Sequence, residues 1–165
     1  MRTVLYLRHN DIARQIQLHS YYTGEARKAA GITPSFAARI QTSDSENDII
    51  TRHMRTAILE CSKLLSRYFS VCTTKEVEDD GSLTTEFHMQ PPRNFPHECI
   101  PQLEDSMANY VAMRALQQWL AQNKPDEAVS VAEEVRAAAN NMRETMSLRN
   151  RPHKNIQKRK RSIDI

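Results

Sequence analysis

Residues 45–69 read SENDIITRHMRTAILECSKLLSRYF, with an apolar side chain at every third or fourth position. That spacing places the apolar side chains on one face of an α-helix, because a helix turns once in about 3.6 residues. The acidic and Ser residues at 44–48 are typical of a helix start. The stretch therefore predicts a long amphipathic helix. Its predicted buried face consists of Ile50, Met54, Ala57, Ile58, Cys61, Leu64, Leu65 and Tyr68.

The period changes after this helix. The segments VCTTKEV (71–77) and LTTEFHM (83–89) are short, rich in Thr, Val and Phe, and joined by the turn-forming residues EDDGS. This composition predicts a β-hairpin at about 71–89, whose polar tip projects from the body. Because an isolated hairpin is marginally stable in water, we expect it to gain neighbours by oligomerisation. The prolines that follow, at 91, 92 and 96, predict a stiff extended connector.

Two further helices are predicted, over about 98–122 and from Pro125 to about 148. Pro125 suits the first position of a helix, and the second helix carries a stripe of alanine that favours close packing as an antiparallel pair. The side chains predicted to form the core or a subunit interface are Ile50, Met54, Ile58, Leu65, Leu103, Met107, Tyr110 and Trp119.

The N-terminal segment predicts one more helix. Asn10 is suited to cap it, Asp11 lies in its first turn, and Thr23-Gly24 predicts a break or kink. The preceding RTVLYL (2–7) fits either a short strand or an early helical turn. The sequence therefore predicts a mainly α fold, α-α-ββ-α-α, in which a helical bundle carries the hairpin.

Composition bounds the class of protein. Charged residues make up 26% and hydrophobic residues 39% of the 165 residues, which is typical of a soluble globular domain. No apolar run approaches the roughly 20 residues of a membrane span, and the N-terminal apolar segment is too short for a signal peptide. The cysteines at 61, 72 and 99 form no CxxC pair. We expect a cytoplasmic protein without a zinc site or disulfide.

Charge divides the chain into two parts, a domain at 1–148 and a basic C-terminal arm at 149–165. The last 17 residues hold seven Lys or Arg against Asp164 alone, whereas residues 1–148 hold 16 basic and 19 acidic side chains. Such end-loading is typical of an interaction arm. The arm residues predicted to bind a partner are Arg149, Arg151, Pro152, Lys154, Ile156, Lys158, Arg159, Lys160 and Arg161.

No pattern in the sequence indicates an enzyme. The six histidines are scattered over different elements, and the nearest approach to a catalytic pair is His97 with Cys99. Both lie where a proline-rich connector meets a helix, so capping or packing explains them better than nucleophilic chemistry. No catalytic, metal-binding or cofactor-binding residue is predicted, and no cofactor is expected.

The order of elements resembles that of the small head–tail connector proteins of tailed bacteriophages, also called adaptor or neck-ring proteins. The resemblance is carried by NDIITRHMRTAILECSKLLSRYF (47–69), the hairpin with its exit MQPPRNFP (89–96), NYVAMRALQQWL (109–120) and RNRP (149–152) with its basic extension. These stretches span most of residues 10–161.

The resemblance implies a structural protein of the virion neck, assembled in the host cytoplasm. Such proteins form a ring, commonly of twelve copies, between the portal and the tail, and DNA passes through it. The hairpin and the arm would then reach the portal, the next subunit, or a tail or second neck protein. Non-specific contact with packaged DNA is expected, and contact with a membrane or catalysis is not.

The alternative is a small nucleic-acid-binding or regulatory helical protein that uses its basic tail, with an affinity for DNA that falls as salt rises. The segment ALQQWLAQNKPDEAVSVAEEV (115–135) also resembles a tetratricopeptide helix pair. It occurs once, and such repeats generally need about three copies to be stable. An enzyme is the third alternative.

Overall fold

A computed structural model of the chain describes residues 2–29, 44–70, 72–79 and 81–150. The predicted mainly helical class is confirmed, since four helices account for most of these residues and are joined by a small antiparallel sheet. The elements are β1 (Thr3–Arg8), α1 (His9–Ala29), α2 (Asp44–Leu65), β2 (Cys72–Asp79), β3 (Ser82–Met89), a 3-10 turn (His97–Cys99), α3 (Ile100–Asn123) and α4 (Pro125–Ser147).

The sheet has the strand order β1-β3-β2, so β3 is its central strand. β2 and β3 pair around a turn that contains Gly81, whose φ of +73° favours glycine. The prediction of a hairpin that projects from the body is wrong, because β1 pairs with β3 along its whole length. The undecided segment RTVLYL supplies this third strand, and an alternation of buried and exposed side chains in Thr3–Arg8 gives the reason.

One face of the sheet packs on the helices. Leu5 and Leu7 of β1 and Phe87 and Met89 of β3 point to this face and are buried. Leu5 lies directly opposite Phe87 in the register, so the two strands bury neighbouring side chains against the same helices. The sheet is therefore one layer of the core.

α1 differs from its prediction at both ends. It begins at His9, directly after β1, and the Asn10 side chain donates to Ser82 Oγ at 3.3 Å instead of capping the helix. The helix also runs through Thr23-Gly24 to Ala29 without the predicted break. A glycine inside a helix costs about 1 kcal/mol relative to alanine, which a long helix tolerates.

α2 ends at Leu65 rather than at the predicted residue 69, and a short turn leads to Phe69. The Phe69 ring packs edge-on against Phe95 of the proline-rich connector, with ring centroids 5.5 Å apart. Phe95 and the flanking Pro96 are buried. The connector therefore packs against the edge of the core, and this packing fixes the position at which α3 starts.

α3 is the central helix of the molecule, and it contacts α1, α2, α4 and β1. Its apolar residues cover nearly its whole circumference, as expected for a helix surrounded by other elements. α4 lies against it through a face that includes Ala138, Ala139 and Met142. The eight side chains predicted for the core or an interface, Ile50, Met54, Ile58, Leu65, Leu103, Met107, Tyr110 and Trp119, are all buried within the chain.

Candidate functional site

The two edges of the sheet differ in how they are covered. At the β1 edge, the Tyr6 N–H donates to Glu104 Oε1 of α3 at 2.9 Å, on the side away from β3. β2 forms the other edge, and no strand of the described residues pairs with its outer side. An open strand edge presents a row of backbone donors and acceptors that can pair with another chain.

The register identifies which groups of β2 face outward. The backbone N–H and C=O groups of successive residues point to opposite sides of a strand, and those of Tyr6 point away from β3. The backbone groups of Leu5 and of its partner Phe87 therefore point toward each other, between β1 and β3. The backbone groups of the next residue, Glu86, therefore point toward β2, where its partner is Lys75. By the same alternation, the outward N–H and C=O groups of β2 belong to Thr74, Glu76 and Glu78.

A groove of about 270 Å³ runs beside this edge, between α2 and the inner side of β2. Its lining consists of Arg55, Ile58, Leu59, Thr74, Glu76 and Thr85. Leu59 is an apolar side chain of α2 that is 58% exposed. Arg55 Nε and Glu76 Oε1 lie 3.4 Å apart across the rim. The groove thus combines an apolar floor with a charged rim.

The strand beside the groove is acidic. Residues 75–80 carry Lys75 against two glutamates and two aspartates. Thr74, Glu76 and Glu78 share the inner face of the sheet with Phe87, yet they are exposed, because an open groove separates that side of β2 from α2. A basic segment with an apolar residue would fit this edge better than a neutral one.

The start of the C-terminal arm is fixed to the body. Asn150 N–H donates to the Asn94 carbonyl of the connector at 2.7 Å. Arg149 Nη1 donates to the carbonyl oxygens of Met146, in the last turn of α4, and of Leu148, the residue after the helix. Of the nine predicted arm residues, Arg149 alone is described, and here it caps α4. The other eight, from Arg151 to Arg161, lie outside the described residues.

The chain matches no protein-family model, no curated protein and no solved structure. Its function is therefore inferred from its own residues. Among the described residues, no helix is long and apolar enough to cross a membrane. The same residues contain no group of three or more His, Cys, Asp or Glu side chains placed to hold a metal ion.

A polar cluster joins α2 to α3. Arg114 donates through Nε and Nη2 to the two carboxylate oxygens of Glu60, at 2.8 and 3.1 Å, and Tyr110 donates to Glu60 Oε2 at 3.3 Å. Burial, and then the Glu60 charge, raises the pKa of Tyr110 to about 12. The hydrogen bond that Arg114 donates to the Glu60 carboxylate raises the pKa of Arg114. A two-pronged ion pair of this kind fixes helix orientation, and neither group is poised for proton transfer near neutral pH.

His97 and Cys99, the nearest approach to a catalytic pair in the sequence, lie on the 3-10 turn before α3. His97 is exposed, and Cys99 is half-buried against the core. The Cys99 N–H donates to the Pro96 carbonyl at 3.0 Å. The turn thus serves as the start of α3.

His9 is the buried histidine of the described core. Its Nε2 lies 2.8 Å from Oγ1 of Thr85, a residue of the central strand that lines the groove. Burial lowers the pKa of His9, Glu76 opposes the shift and Arg55 adds to it. The neutral imidazole is therefore the form that the fold favours.

We expect the free energy of unfolding to fall as the pH drops below 6.5, the ordinary pKa of histidine. A pKa lowered by folding means that the unfolded chain binds the proton first, so this contribution is present above pH 6.5 and is lost toward the folded pKa. Urea unfolding of wild type and His9→Gln between pH 7.5 and 5 tests this, with exposed His97→Gln as control. Equal slopes for His9→Gln and wild type would contradict the assignment.

Sequence reasoning missed both the open edge and the groove. The edge depends on β1, whose partner strand is about 80 residues away, so local patterns gave no strand order. One signal was present in the alternation of TTKEVED, which places Thr74, Glu76 and Glu78 on a single face of a strand.

Proposed function

We propose that this chain is a structural assembly protein that forms the connector ring between portal and tail in the neck of a tailed-phage virion. The observation that carries the proposal is the open outer edge of β2 beside an apolar groove, on a helical body that also bears a basic arm. An edge strand and an arm are two different contact elements on one subunit. Copies that each use both can join head to tail.

Head-to-tail contacts suit a ring. A subunit whose donor element differs from its acceptor surface forms heterologous contacts, and these close into a ring when the rotation between copies allows it. Natural monomers usually protect an edge strand with charge or cover. The charges on β2 are mostly acidic, which discourages pairing with a second β2 and leaves the edge suited to a basic partner.

The resemblance to neck-ring proteins gives the proposal its place in the virion. It supports twelve copies, a portal on one side and a tail or second neck protein on the other, and passage of DNA through the ring. The basic arm supports contact with carboxylates of a neighbour or with the phosphates of that DNA. None of these roles requires catalysis, so no enzymatic activity is proposed.

The test measures the mass of the full chain, alone and mixed with its phage's portal protein, by mass photometry and negative-stain imaging. Twelve copies of the 19.0 kDa chain correspond to a ring of about 230 kDa. We expect ring particles, or portal particles that gain a ring-shaped layer. The variant Val129→Ser, at an exposed position of α4, should form the same particles as the wild type and controls for the effect of a surface substitution.

A chain that stays monomeric with and without portal, and binds DNA tightly with an affinity that falls steeply with salt, would overturn the connector proposal. It would favour the nucleic-acid-binding alternative.

A further inference from the structure

We propose that the outer edge of β2 binds residues 154–158 of a neighbouring copy, Lys-Asn-Ile-Gln-Lys, which add to the sheet as a fourth strand. The proposal rests on the proposed function only in assigning the segment to a neighbouring copy. The edge, the groove and the charges that argue for it belong to the single chain.

The backbone of β2 supplies the main attachment. The outward N–H and C=O groups of Thr74, Glu76 and Glu78 form a ladder three positions long, and a five-residue extended segment matches that length. Strand addition of this kind gains its affinity from main-chain hydrogen bonds, and its specificity comes from pockets for alternate side chains.

The groove supplies the pocket. An added strand would continue the sheet over α2, so every second side chain of that strand would point toward Ile58 and Leu59. Ile156 is the apolar residue in the middle of the segment. With Ile156 in the groove, the exposed Leu59 side chain would gain a partner, which explains an apolar residue that is otherwise 58% exposed.

With Ile156 opposite Glu76, one lysine of the segment lies opposite Glu78 and the other lies opposite Thr74, diagonal to Glu76. Lys154 and Lys158 lie two residues to either side of Ile156, so both share its face of the added strand. The β2 side chains on that face are Thr74, Glu76 and Glu78. Opposite charges on neighbouring strands are stabilising by roughly 0.2–1 kcal/mol per pair. Arg55, the cation at the rim, is paired with Glu76.

The competing occupant of this edge is a second copy of β2. Antiparallel self-pairing would set the glutamates of one strand beside those of the other, and like charges directly opposite are destabilising. Residues 154–161 carry five basic side chains and no acidic one, so they fit the acidic edge where a second β2 does not.

The experiment places the photo-crosslinker benzoylphenylalanine at position 156 of the full chain and mixes this chain with an isotopically labelled copy. We expect the crosslinked peptides to include residues 55–59 or 74–78 of the labelled copy. The same crosslinker at exposed Val129 is the control and should not yield those peptides. Crosslinks from position 156 that fall elsewhere, or only within one copy, would overturn the proposal.

A charge exchange tests the register. The double variant Glu76→Lys/Glu78→Lys should lower the crosslink yield about tenfold, and adding Lys154→Glu/Lys158→Glu to the same chain should restore it. The matched control reverses Glu133 and Glu134, two exposed carboxylates of α4, and should leave the yield unchanged. Failure of the exchange to restore the yield counts against the register.

The two proposals can fail separately. Rings that form while position 156 crosslinks elsewhere would overturn the strand addition and leave the connector function standing. Crosslinks to β2 of another copy, in a protein that never forms a ring, would support the strand addition and overturn the connector function.

Discussion

Replacing Phe87 by alanine is expected to lower the free energy of unfolding by about 3–5 kcal/mol, because the side chain is fully buried and the neighbours cannot collapse into the space it leaves. Phe87 lies on the central strand, opposite Leu5, with α1 and α3 against the same sheet. The loss combines the transfer of a phenyl ring to water with the cavity that remains. Urea unfolding followed by circular dichroism measures it.

Two matched substitutions make the Phe87 result specific. Phe87→Leu keeps most of the volume and should cost less than Phe87→Ala. Thr84→Ala, on the opposite face of the same strand, should change the free energy of unfolding by less than about 1 kcal/mol. A Phe87→Ala cost as small as that of Thr84→Ala would mean that the hairpin stands away from the helices after all.

Replacing Met107 by alanine should cost about 2–5 kcal/mol. Met107 is fully buried on α3, the helix that contacts α1, α2, α4 and β1, so a cavity there weakens several interfaces together. Thermal unfolding followed at 222 nm, combined with urea titration, gives the change in stability and shows whether unfolding stays in one step.

Leucine at position 107 conserves volume and should cost less than about 1.5 kcal/mol. Gln102→Ala, at an exposed position of the same helix, controls for changes in helix propensity, which favour alanine. A Met107→Ala variant as stable as the wild type would contradict the central position of α3.

The helices could be predicted from sequence because their signals are local. Ile50, Met54, Ile58 and Leu65 recur at helical spacing, and Pro125 followed by acidic residues marks a helix start; the structure has α2 and α4 at these places. The ends were less certain. Tyr68 continues the apolar period, yet α2 ends at Leu65, where packing of Phe69 on Phe95 takes the chain in another direction.

The sheet could not be predicted fully because its pairing is tertiary. RTVLYL is a short, mostly apolar run without alternation of residue type, so its pattern does not exclude a helical turn. Only the contact between Leu5 and Phe87 decides the matter, and those residues are far apart in sequence. The same long-range pairing makes β2 an edge, so the candidate docking edge was hidden together with β1.

The arm could be predicted as a charged segment, but not its attachment. The excess of Lys and Arg at 149–161 is plain in the sequence, whereas the bond from Asn150 to Asn94 depends on how the connector runs. Arg149 shows the same limit, because a basic residue after a helix can cap that helix as readily as bind a partner.

The pairing of β1 with β3 also has a consequence for synthesis on the ribosome. The first strand leaves the ribosome about 80 residues before its partner, so Leu5 and Leu7 have no sheet to join while α1 and α2 are being made. Closing so long a loop slows folding, and apolar strands that remain unpaired during synthesis are prone to aggregate. Nascent chains that stop before residue 89 are thus expected to need chaperones, and chains released past α3 are not.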